Sequence, residues 1–145
     1  MSYSIDVNIF VYAANPGDKH YHQQAICFLE EKLNGSELLF LPWMTLISYQ
    51  RITTHPSIFP FPLTPKEAWK NIEDLLALPQ VRIIGEEEDF AQHYLNITSE
   101  FPVRGGLVSD AHLAAILRQH GVKTIYSADS DFRKFSFLKV INPLR

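Results

Sequence analysis

A single cysteine, Cys27, stands among 145 residues. Neither an internal disulfide nor a multi-thiolate metal site can form, which agrees with a reducing compartment; Cys27 itself reads as a small core residue. No apolar run approaches the ~20 residues that cross a bilayer, and MSYSIDVNIF at the N-terminus has neither a basic region nor a small-residue cleavage motif. The expectation is a cytoplasmic protein with no membrane contact. Charge of either sign is modest, 13 Lys and Arg against 16 Asp and Glu for a net −3, which excludes a generic basic nucleic-acid binder but leaves room for a basic patch beside an acidic site. The six histidines contain no His-x3-His pair at helical ligand spacing, so zinc is not the expected metal. Repeats, linkers and low-complexity tracts are absent. What remains, 46% hydrophobic and 20% charged residues, is the balance of one globular domain spanning residues 1–145.

Short β-branched or aromatic runs alternate with longer helical patterns. Strands are expected near Tyr3–Val7, Leu38–Leu41, Val81–Ile84, Lys123–Ser127 and Leu138–Ile141. Helices are expected from about Asn8, over about Lys19–Leu33 with Tyr21, Ala25, Phe28 and Leu29 on one side, after Pro42, and over Val108–His120 with Gly121 as its stop. Four prolines in the segment from His55 to Pro65 inclusive forbid a helix or central strand there and predict an ordered loop. Thr64-Pro65-Lys66-Glu67 is a capping box with proline at the first helical position. The acidic run Glu86–Asp89 reads as a complement to the dipole of a helix carrying Phe90, Tyr94 and Ile97. No pair of strands has hairpin spacing, so the fold class is α/β, a mostly parallel sheet with helices on both faces. Such sheets bind ligands beyond the carboxyl ends of their strands.

Asp6 ends the first strand, and Asp129 and Asp131 follow the fourth. Asp110 opens a helix in register with Leu113, Ala114 and Leu117, so it points along the apolar stripe. Each acid alone has a bland explanation: Asp6 and Asp110 as helix caps, Asp129 and Asp131 as turn residues. Capping explains neither the shared rim of Asp6 and Asp129 nor an aspartate on a buried stripe. Two carboxylates about 4 Å apart repel by roughly 4 kcal/mol at an effective dielectric near 20, so such a cluster protonates or holds a cation. All-oxygen donors favour Mg²⁺ or Mn²⁺, and metal-dependent phosphodiester hydrolysis is the chemistry that follows.

Ile5-Asp6-Val7-Asn8-Ile9-Phe10-Val11-Tyr12-Ala13, Leu107-Val108-Ser109-Asp110-Ala111-His112-Leu113-Ala114-Ala115 and Ser127-Ala128-Asp129-Ser130-Asp131-Phe132 resemble the three acidic motifs of PIN domains, nearest to the VapC toxin group. Leu41-Pro42-Trp43, Arg51-Ile52-Thr53-Thr54-His55-Pro56 and Phe59-Pro60 resemble one VapC subgroup, and the likeness runs from about Ser4 to Leu144. The resemblance implies a PIN-like three-layer domain with a five-stranded parallel sheet of order 3-2-1-4-5 flanked by helices. It also implies a homodimer, a cognate antitoxin, and an Mg²⁺- or Mn²⁺-dependent endoribonuclease in which a metal-activated water attacks the RNA phosphodiester. Asp6, Asp110 and Asp129 carry over as metal ligands and Asp131 as a further catalytic acid, with Asn8 and Ser127 as supporting neighbours. The sequence departs from the pattern of many PIN nucleases at Ser48, where they carry glutamate, and from the subgroup at Gly106 and Ser109.

Arg51, Arg104 and Arg133 are the candidate substrate-binding cations, with Lys123 and Lys134 as further basic neighbours. Tyr12, Trp43, Phe59 and Phe61 are candidates for stacking on unpaired bases, although for Trp43 a core or dimer-interface role is preferred. Two other functions compete with a toxin ribonuclease. A PIN-fold binding module impaired by the missing glutamate would bind RNA or protein without cleaving. A phosphoacceptor receiver domain would need an acidic pair after the first strand and a lysine after the last, and Asp6 stands alone while Ile141-Asn142-Pro143 has no lysine.

Overall fold

The computed structural model describes residues 1–145. Five parallel strands, β1 (Ser2–Ile5), β2 (Leu38–Pro42), β3 (Val81–Ile84), β4 (Thr124–Tyr126) and β5 (Lys139–Ile141), form one sheet in the order β3-β2-β1-β4-β5. Six α-helices connect or follow them: α1 (Val7–Ala14), α2 (His22–Leu33), α3 (Trp43–Thr53), α4 (Pro65–Leu76), α5 (Phe90–Thr98) and α6 (Leu107–Gln119). The order and the three-layer arrangement are those expected. Tyr3, Ile5, Leu39 and Leu41 pack with Ile9 of α1, Ala25 of α2, Leu46 of α3 and Ile72 of α4 in one core cluster. Ile125 packs in a second cluster with Ile97 of α5, Leu113 and Leu117 of α6, and Phe132 and Phe135. Burying a large apolar side chain contributes about 1.5–3 kcal/mol, so the two clusters dominate the cohesion of the domain.

Local signals fix the helix ends. Thr64 Oγ1 accepts from the Glu67 amide at 3.1 Å while the Glu67 carboxylate accepts from the Thr64 amide at 2.9 Å, the reciprocal box expected at the start of α4. At the end of α6, Gly121 adopts φ +72°, and the Gly121 and Val122 amides donate to the Arg118 and Leu117 carbonyls, a Schellman stop that only glycine enters without strain.

Several expectations need correction. α2 begins at His22 rather than Lys19, because Asp18 Oδ1 accepts from the amides of His20 and Tyr21 and holds them in a turn; Tyr21 stands at the N-cap, 42% exposed, outside the helix. Cys27 is exposed on α2 and is not a core residue: it sits two residues from both buried Ala25 and half-buried Leu29, hence on the opposite side of the helix. Pro42 is the last residue of β2 and caps α3 rather than entering it. The acids before α5 bind side chains more than a dipole, Glu86 meeting His112 at 3.2 Å and Asp89 meeting His93 at 3.1 Å and Gln119. In the proline loop Phe59 is buried and Phe61 is 65% exposed.

Candidate metal centre

β1 pairs with β2 on one side and β4 on the other, so the connections diverge between β1 and β4. That is the switch point where an open parallel sheet leaves a crevice at its carboxyl end. The register Ile5↔Tyr126 makes Asp6 and Ser127 the next residues on the two strands. The Asp6 amide donates to the Tyr126 carbonyl at 3.0 Å, and the Ser127 amide to Ile141 at 2.9 Å, which extends the ladder to the rim.

Asp6 is 7% exposed and fully engaged by hydrogen bonds. Oδ1 caps α1 by accepting from the Val7 amide at 2.8 Å, and Oδ2 accepts from Ser127 Oγ at 2.8 Å. Burial pushes its carboxyl above the usual range, with those two hydrogen bonds opposing and the Asp129 charge adding to the rise. Ser127 Oγ in turn accepts from the Asp129 amide at 2.9 Å, and Asp129 Oδ1 accepts from the Asp131 amide at 2.9 Å. A chain of three hydrogen bonds thus runs from β1 into the 3-10 turn Ser130–Lys134.

That turn carries Asp131 back over the cleft, where carboxylate oxygens of Asp110, Asp129 and Asp131 all lie within 4.8 Å of one another. Asp110 reaches them from the first turn of α6. Its carboxyl is raised to about 6, first by burial and then by the charges of Asp129, Asp6 and Asp131. The structure therefore groups Asp131 with Asp110 and Asp129 and sets Asp6 just outside the group, close enough for its charge to act on Asp110. The one cation paired with these acids is Lys134, 3.8 Å from Asp131 and itself half exposed. From the sequence Lys134 is only a basic neighbour; the pairing arises because side chains three apart eclipse in a 3-10 helix. Oxygen-only donors and crowded negative charge, felt in the raised Asp110 carboxyl, fit a hard divalent cation.

The remaining candidates are spread around this centre. Asn8 is exposed in the first turn of α1, and Ser48 is half-buried on α3. Arg51 at the end of α3, Arg104 before α6 and Arg133 in the 3-10 turn are all exposed, and none forms an ion pair. Trp43, 46% exposed, opens α3 beside Ile47, 52% exposed.

The profile described as "PIN domain" matches residues 3–138. The chain belongs to the PIN-domain family. Within this family it is similar to "Ribonuclease VapC48" of Mycobacterium tuberculosis, 38% identical over 99% of this chain and 98% of that protein. It is also similar to "Ribonuclease VapC37" of the same organism, 30% identical over 96% and 95%. Among solved structures, VapBC2 from Rickettsia felis bound to a DNA fragment from their promoter superposes with a TM-score of 0.69 over 98% of both chains. At 16% identity that likeness concerns the PIN fold alone.

Ser127→Ala tests the support of this PIN centre. The change strands a buried carboxylate oxygen and an amide, so the expected cost is about 1–3 kcal/mol of stability. Divalent-metal affinity should fall by about 10-fold or more, because Asp129 loses its anchor. Titration calorimetry and denaturant unfolding read the two effects separately; unchanged metal affinity would detach Ser127 from the centre.

Proposed function

We propose that this chain is a metal-dependent endoribonuclease, the toxin of a type II toxin–antitoxin pair, acting in the cytoplasm. The observation that carries the reading is the convergence of Asp110, Asp129 and Asp131 at the switch point, with Asp110 raised to about 6, in a chain 38% identical to a VapC ribonuclease. Asp110 and Asp129 hold an Mg²⁺ or Mn²⁺ ion, with Asp131 and Asp6 completing the acidic shell. When bound, the ion lowers the pKa of water and offsets the charge that develops at phosphorus.

The chain's own residues do the rest. Ser127 fixes Asp6 and Asp129 relative to each other, and Asn8 orients water at the mouth. The unpaired Arg51, Arg104 and Arg133 hold the phosphates of the RNA strand on either side of the scissile bond. Exposed arginines can guide a polyanion even to an overall acidic protein.

An antitoxin is the expected partner. A groove of about 570 Å³ on the α1–α4 side, lined by Phe10, Ala14, Leu29, Leu46 and Leu75 among others, offers apolar cover for such a chain. Exposed Trp43 and Ile47 suit a homodimer contact.

Purified protein incubated with a mixed cellular RNA pool should cut it with Mg²⁺ or Mn²⁺ and not with excess chelator. No cleavage by folded, antitoxin-free protein would leave the impaired binding module, to which Ser48 points, as the better reading.

A further inference from the structure

We propose that Tyr12 and Tyr21, with His20 at their edge, form a stacking platform for an unpaired base of the RNA strand whose phosphate enters the acidic cleft. The inference rests on the ribonuclease reading and adds to it the element that selects single-stranded substrate.

The segment between α1 and α2 is built to hold these rings. The Tyr12 carbonyl accepts from the Asn15 amide at 3.2 Å and from His22 Nδ1 at 2.9 Å, which places the His22 proton on that nitrogen. Asn15 Oδ1 accepts from the Gly17 amide, and Asp18 Oδ1 from those of His20 and Tyr21. The Asn15 and Asp18 side-chain oxygens are thus spent on fixing the backbone of the turn. On this frame the Tyr12 and Tyr21 rings lie 5.1 Å apart at 58°, and the His20 ring lies 6.2 Å from Tyr21. Phe61, from the proline loop, reaches the same place: a Cβ built on Gly17 would sit 3.2 Å from its ring. Two separate loops therefore bring aromatic side chains to one surface.

The position is within range of the charge at the cleft. Tyr12 stands six residues along the helix that Asp6 caps, an axial rise of about 9 Å. Its hydroxyl is raised by burial, then by Asp18, Tyr21 and Asp6, so the Asp6 charge is felt at the ring and the phenol stays a donor at neutral pH. Neither Tyr21 at 42% nor Phe61 at 65% exposure serves the core. An RNA strand with a phosphate at the carboxylates must lay its neighbouring nucleotides across the rim, and a flat base matches an exposed aromatic face whatever its identity. A base paired in a duplex has no free face to offer. Lys19, exposed in the same segment, supplies a cation for the adjoining phosphate.

The test is binding of a single-stranded 12-nucleotide RNA carrying one 2-aminopurine, to the Asp129→Asn protein and to the same protein with a second change at Tyr21. Tyr21→Ala and Tyr21→Leu should each raise Kd about tenfold and lose the stacking quench, and Tyr21→Phe should keep both. Melting temperatures should stay within a few degrees, since Tyr21 is exposed. Leucine binding as well as tyrosine, or no difference among the variants, would overturn the platform. The two readings fail separately: Tyr21-dependent quenching without metal-dependent cleavage by the unsubstituted chain keeps the platform and sinks the nuclease. Cleavage unaffected at Tyr21 does the reverse.

Discussion

Asp129→Asn should lower metal-dependent RNA cleavage by about 10³-fold or more, equivalent to losing roughly 4 kcal/mol of transition-state stabilisation. The fold should not suffer. Asp129 Oδ1 accepts from the Asp131 amide at 2.9 Å, and an asparagine carbonyl oxygen can keep that bond, while the neutral amide removes one of three crowded charges. The melting temperature without metal should be equal or higher, as is common where a functional site stores repulsion. Inactivity accompanied by unfolding would make Asp129 a structural residue. Inactivity with a preserved or raised melting temperature would make it a ligand. Asp6→Asn should also lose activity, but at lower stability than Asp129→Asn, because its amide would meet a buried serine already committed to the Asp129 amide.

The second large effect is a reversal of pH dependence by metal. The Asp110 carboxyl is raised to about 6 in the folded chain, against ~3.9 in an unfolded one. Between those values the folded state binds the proton more tightly, so this group lets stability fall as pH rises from about 4 to 6 and adds nothing further above that. Asp6, also raised, acts in the same direction. Glu67, Glu86 and Asp89 are lowered by hydrogen bonds and act oppositely, so the diagnostic quantity is wild type minus Asp110→Asn. Without metal that difference should become less favourable to wild type as pH rises from 4 to 6. With Mg²⁺ or Mn²⁺ the sign should invert, since the ion binds ionised carboxylates and is displaced by protons. At 100 times Kd the ion should stabilise by about 2.7 kcal/mol, or about 5–10 °C for a chain of this size. At pH 5 most of that shift should vanish. Equal metal shifts at both pH values, or in wild type and Asp110→Asn alike, would remove Asp110 from the site.

Much of this was legible before any coordinates. The lack of hairpin spacing dictated parallel strands, and Thr64-Pro65-Lys66-Glu67 and Gly121 marked helix ends through a reciprocal cap and a left-handed stop. Asp6 and Asp129 followed strand ends, so the ladder itself delivered them to one rim. Less visible was how each acid would be used. Asp6 is drawn back by the Val7 amide and Ser127, while the 3-10 turn brings Asp131 forward to Asp110 and Asp129. Spacing along the chain carries no information about which oxygen a cap consumes. Tyr21 falls outside α2 because Asp18 makes side-chain bonds that compete with helix formation. Cys27 was misplaced for a plainer reason: its angle from Ala25 and Leu29 on the helical wheel already pointed outward. The proline loop had no period to read, so nothing in its sequence separated buried Phe59 from exposed Phe61.

The bond from Ser127 Oγ to Asp6 joins residues 121 apart in the chain. During synthesis at ~5–20 residues per second, roughly 6–24 s separate the making of the two halves of the centre. Through that interval β1 can pair only with β2, and α1 and α2 can settle on the first half of the sheet, while the carboxylates of Asp129 and Asp131 do not yet exist. A ribosome translating this message therefore carries a chain whose acidic centre stays incomplete until its last portion has emerged and inserted β4 alongside β1. The order of the strands thus makes the acidic centre one of the last features of the fold to be completed.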